Sequence, residues 1–131
     1  MLREVLLVDR ADVEAVVERY LELHAACALE SVLALFRADA VLEDPVGAPA
    51  IQGEAAIRAF YARTHQANGS LRIEHVGPVI VCGREATAHV RAAAEKANFD
   101  PEVDVIYSFR CDSNGRIELL RAFFETGDPA G

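Results

Sequence analysis

Asp44, in the run Val41-Leu42-Glu43-Asp44-Pro45, is the residue best suited to proton transfer. Along a strand it shares a face with Leu42 while Val41 and Glu43 look the other way, so one carboxylate of the Glu43-Asp44 pair points to the apolar interior. A carboxylate there loses water and becomes more basic, which suits a general base near neutral pH. The bland alternative is a strand-end aspartate that bonds a turn before proline. Tyr20, Tyr61 and Tyr107, all three tyrosines of the chain, are also expected to face inward. Phenols with a pKa of about 10 stay protonated at neutral pH and are good donors to an oxygen that is gaining negative charge. Ordinary core packing with a satisfied hydroxyl is the competing account of each.

Other chemistries find little support. His24, His65, His75 and His89 show no H-x-x-x-H or H-E-x-x-H spacing, so no metal site is expected. There is no G-x-S-x-G elbow and no glycine-rich loop running from strand into helix. Cys27, Cys82 and Cys111 form no C-x-x-C pair and read as buried small hydrophobes. Against 21 acidic residues stand 13 Lys and Arg, a formal charge of -8, which repels nucleic acid rather than binding it. No apolar run approaches the roughly 20 residues needed to cross a bilayer, and Met1 to Val8 is too short for a secretory core, so a cytoplasmic protein without membrane partners is expected.

The elements that must position these groups follow from periodicity. The 131 residues, 52% of them hydrophobic, suit one domain over 1–131 with a real core. Val13, Val16, Val17, Tyr20, Leu21 and His24 make one helical stripe, with Asp9 or Asp12 as its cap. A second helix is predicted over Leu29 to Phe36, closing through Ala38 to Ala40 before the strand that carries Asp44. Gly53 and Glu54 open a third, with Ile57, Phe60, Tyr61 and Thr64 inward, and Asn68-Gly69 ends it. The period then changes to two: Leu71 and Ile73; Ala88, Val90, Ala92 and Ala94; Val103, Val105, Tyr107 and Phe109. Glu74 and His89 should face outward. Asp112-Ser113-Asn114-Gly115 is a hairpin turn into Ile117 to Glu125. Three N-terminal helices before a run of mainly antiparallel strands predict an α+β fold, a curved sheet over a helical layer with a pocket inside. Val90, Ala92 and Leu120 are expected on its wall.

The segments Tyr20-Leu-Glu-Leu, Leu29 through Glu43-Asp44-Pro45-Val46-Gly47, Ile51-Gln-Gly-Glu, Ala59-Phe-Tyr61, Val76-Gly-Pro-Val, Asp104-Val-Ile, Asp112-Ser-Asn-Gly-Arg-Ile and Arg121-Ala-Phe-Phe resemble the bacterial ketosteroid isomerases, within the NTF2-like or SnoaL-like superfamily. The resemblance covers nearly the whole chain, and the Glu-Asp-Pro-x-Gly segment is also similar to that of polyether epoxide hydrolases. It implies a cystatin-like cone and a homodimer packed through the outer sheet face, where Ile106 points outward. By position it makes Asp44 the general base, Tyr20 the oxyanion-hole tyrosine and Tyr61 its hydrogen-bonding partner. Phe36 replaces the third phenol, and Phe124 stands on the pocket wall. That family is a standing illustration of a carboxylic acid kept neutral by an apolar site so that it can donate. Here Tyr107 occupies that acid's position, and Asp104, three residues away, falls on the opposite strand face unless a bulge intervenes.

The resulting expectation is a cofactor-independent isomerase acting on a hydrophobic small molecule. Asp44 moves a proton within a β,γ-unsaturated ketone, such as a 3-oxo-Δ5-steroid, while Tyr20 and Tyr107 stabilise the dienolate oxygen. Two alternatives stay open. One is an epoxide hydrolase or cyclase with Asp44 and a second carboxylate, Glu74 being the candidate. The other is a non-catalytic binding or dimerisation domain.

Overall fold

The computed structural model describes residues 9–125. Met1 to Val8, read above for a secretory signal, lies outside them. Helix α1 spans Arg10–Ala25, and its cap is Asp9, whose side chain accepts from the Asp12 N–H while the Asp12 carboxylate accepts from the Asp9 N–H. Val13, Val17, Tyr20, Leu21 and His24 are buried, as the stripe predicts. Helix α3 spans Glu54–Asn68. Gly69 ends it at φ +68, and a Cβ there would meet the Glu95 carboxylate at 2.7 Å.

Helix α2 is shorter than expected, Leu29–Leu33, and Phe36 begins strand β1, Phe36–Glu43, instead of closing the helix. The cause is a distant strand. The Ile117 N–H donates to the Leu35 carbonyl at 2.8 Å and Phe36 pairs with Ile117, so sheet pairing overrides the local helical stripe. Strand β2, Ile51–Gln52, pairs with β1, while β3 (Leu71–His75) and β4 (Ile80–Cys82) both pair with β5 (Glu85–Ala94). A 3-10 turn, Glu95–Ala97, leads towards β6 (Val103–Cys111), and β7 is Ile117–Phe123.

The sheet order is β2-β1-β7-β6-β5-β3. All pairs are antiparallel except β1 with β7, so the curved sheet is mixed and open. Helices α1 and α3 lie against it, α1 towards β5 and α3 towards β1 and β2. Leu42, Ile57, Phe109, Ile117 and Leu120 are fully enclosed between the layers, each worth about 1.5–3 kcal/mol relative to exposure. Of the cysteines only Cys111 is buried. Cys82 is exposed, and half-buried Cys27 donates its Sγ hydrogen to the Gly69 carbonyl at 2.9 Å. Among the described residues no helix is long and apolar enough to cross a membrane.

Candidate active site

Asp44 directly follows β1. Its neighbours divide as alternation requires: Leu42 is buried, and Glu43 turns away to accept from Arg121 Nε at 3.0 Å. The Asp44 carboxylate has no hydrogen-bond or ion-pair partner among the described residues and forms part of a cavity of about 520 Å³. Burial pushes its pKa up to about 6. A group with that pKa is mostly ionised at pH 7, yet basic enough to take a proton.

The phenols come together around it. Tyr20 on α1 and Tyr61 on α3 share a hydroxyl–hydroxyl hydrogen bond of 2.7 Å, and Tyr107 on β6 meets Tyr20 edge to face with ring centroids 5.5 Å apart. Burial raises all three phenol pKa values, and the Asp44 charge raises each further. They are therefore protonated donors at neutral pH. Room for Tyr107 comes from its sheet neighbours: its register partners are Ala88 on β5 and Ala122 on β7. Against burial and the Asp44 charge, side-chain hydrogen bonding with Tyr20 holds the Tyr107 pKa back in part.

Depth separates the tyrosines. Tyr107 lines the cavity beside Asp44, as do Ala92 and Phe124, whereas Tyr20 and Tyr61 lie behind that wall, fully buried. Val90 and Leu120, expected on the wall, sit instead in the closed core, and Phe36 is buried there too, on the edge of a separate cavity that Leu33 and Ile57 also line. Alternation identified their inward face correctly, but the packed helical layer covers that part of it. Asp104 is exposed on the outer face, where His89 Nε2 and its carboxylate are 2.9 Å apart. The β5–β6 register runs unbroken through 104–107, so no bulge brings Asp104 inward. Glu74 is exposed and outside the cavity, and the second carboxylate on the lining is Glu125.

Three further polar side chains line the cavity: His24, Thr64 and Asn68. His24 Nδ1 lies 3.2 Å from His65 Nε2, and burial, then His65, lowers the His24 pKa to about 4. The signal for His24 was its place one turn after Tyr20 on the buried stripe. A search for metal spacings passes over it.

A cavity that holds Asp44 and Tyr107 between the helices and a curved mixed sheet defines an α+β fold of the SnoaL-like type. The SnoaL-like domain model matches residues 17–120, and the chain belongs to that family. Among its relatives is a steroid Delta-isomerase of Nocardioides simplex, 35% identical over 122 residues, which span 90% of this chain and 94% of the relative. The structure of SalBIII, an epoxide hydrolase/cyclase-like enzyme in pyran ring formation in the polyether salinomycin, has the same fold. It aligns with a TM-score of 0.79 at 22% identity over 92% of this chain and 95% of that one.

Proposed function

We propose that this protein is a ketosteroid-isomerase-like enzyme. It shifts the double bond of a β,γ-unsaturated ketone, a 3-oxo-Δ5-steroid or a similar hydrophobic carbonyl compound, into conjugation. The carrying observation is the unpartnered Asp44 carboxylate on the cavity wall, with its pKa raised to about 6. The steroid Delta-isomerase relative supports the same reading. Asp44 takes the proton between the carbonyl and the alkene, giving a dienolate and a carboxylic acid. Tyr107 donates to the dienolate oxygen, and the hydrogen-bonded Tyr20–Tyr61 pair behind it supports that donor. The acid returns its proton to the γ carbon, so substrate and product are isomers and the carboxylate is regenerated. Each step uses the chain's own side chains.

The test is growth of conjugated-enone ultraviolet absorption when the protein meets a 3-oxo-Δ5-steroid. Absence of any increase over buffer refutes the reading. A second reading, epoxide opening, draws on Asp44 and Glu125 both lining the cavity and is tested by diol or cyclic-ether formation from an epoxide. The dimer belongs to the same proposal. Ile106 and Phe123, register partners on the outer face, are both exposed there, and I106K is expected to shift sedimentation from dimer to monomer.

A further inference from the structure

The cavity has a second polar pole that the proposed proton transfer does not use. His24 is 5% exposed, stacked on Tyr20 with centroids 5.3 Å apart and set edge-on to Tyr61 at 5.5 Å, so its ring is held firmly. Its Nδ1 faces His65 Nε2 at 3.2 Å, and the other nitrogen of His65, Nδ1, is buried without any partner. The proton between the rings can run two ways. If His24 donated, His65 Nδ1 would be an orphaned N–H; if His65 donates, it is only a bare lone pair. Orphaned buried N–H groups are the rarer case, so His65 Nε2–H donates and His24 carries its proton on Nε2. That Nε2 has no protein partner among the described residues and is not among the nitrogens sealed from solvent, while its ring lines the cavity. It opens into the hollow.

This pole is separate from the first. The Asp44 charge acts on all three phenols, whereas His24 answers to burial and His65. His24 lies one turn, about 5 Å, beyond Tyr20 along α1, and Phe60, Thr64 and Asn68 extend the same wall for about 12 Å along α3. Neither Thr64 nor Asn68 has a side-chain hydrogen bond among the described residues. The wall opposite is apolar, with Ala92, Ala94, Val103 and Val105. A fixed donor in such surroundings costs free energy unless something accepts from it.

We propose that His24 is a specificity-determining donor whose Nε2–H meets an oxygen of the substrate other than the reacting carbonyl, so that the preferred substrate is an unsaturated ketone with a second oxygen on its skeleton. The choice of ketone rests on the isomerase reading; the donor rests on the geometry of the His24–His65 pair. As the imidazole is neutral, the oxygen it selects is a hydroxyl or a carbonyl, not an anion. A ligand without that oxygen leaves the donor stranded, which is how buried polar groups discriminate.

The experiment measures binding of non-reacting 3-oxo-Δ4-steroids to the full chain: the unsubstituted skeleton and a set carrying one added hydroxyl or oxo group on each ring in turn. The wild type should bind at least one oxygenated member about tenfold more tightly than the parent, the size of one well-made hydrogen bond. H24L should bring that preference close to one, and H24Q, which keeps a donor, should retain part of it. In the wild type the His24 Nε2 nitrogen-15 resonance should move with the preferred ligand and not with the parent, a readout that does not depend on how the variants fold. A preference that survives in H24L, the absence of any preference in the wild type, or an unmoved Nε2 resonance overturns the proposal. Isomerase activity without a His24-dependent preference removes the subsite alone. The preference without any isomerisation removes the isomerase reading alone.

Discussion

Asp112 is buried and Asp44 half-buried, and the protein treats the two carboxylates in opposite ways. Asp112 is 8% exposed, and its Oδ1 accepts from the Asn114 and Arg116 backbone N–H groups at 2.8 and 3.0 Å, closing the turn between β6 and β7. Asp44 accepts from nothing among the described residues and opens on the cavity. A carboxylate bonded to backbone donors contributes stability and has little capacity left for a substrate. A carboxylate desolvated without partners costs stability and is basic for that reason. Burial alone thus does not mark a reactive acid; the missing partners do.

The sharpest way to break this comparison is D44N. Loss of the base is expected to slow enone isomerisation by about 10²- to 10⁴-fold, measured by initial-rate absorbance. Y107F should follow, with a loss of about 10²- to 10³-fold in kcat, because the one phenol beside Asp44 on the cavity wall can no longer donate. A result in which Y20F is more damaging than Y107F would move the donor role to the buried pair.

Acidity gives the next effect. Below pH 6, kcat/KM should fall about tenfold per unit as Asp44 protonates, with an apparent pKa of about 6 that vanishes in D44N. The stability consequence has the opposite direction. The folded-state pKa lies above the usual value of 3.8, so the folded protein binds the proton more tightly than the unfolded chain does. The stability contributed by protonated Asp44 is fully present below about pH 4 and is lost as pH rises through 6, a change of roughly 3 kcal/mol. D44N should therefore raise the melting temperature at pH 7 even as it slows turnover. D112A should do the reverse, costing about 1–3 kcal/mol in denaturant unfolding with turnover per folded molecule intact.

Much of this was legible from residue order. The stripe Val13 to His24 and the stripe Ile57 to Thr64 were strong enough to predict α1 and α3, and Leu42 facing away from Glu43 predicted where Asp44 points. The end of α2 was not legible, because Phe36 is drawn into β1 by Ile117, a partner far along the chain. Strands β2 and β4, two and three residues long, are too short to show a period. On the site, alternation could say that Val90, Leu120 and Ala92 face inward but not which of them meets a packed helix and which meets empty space.

The amino-acid order by itself determined the inward faces, the acid that ends an apolar strand, and the phenols set on buried stripes, since each depends only on a local repeat of 3.6 or two residues. Tertiary structure alone decided that Tyr107 stands on the cavity wall with Tyr20 behind it, and that His24 and His65 meet across two helices. Those outcomes depend on how far apart the helical and sheet layers are held at each point. That spacing is a property of the whole packed core, which no single segment encodes.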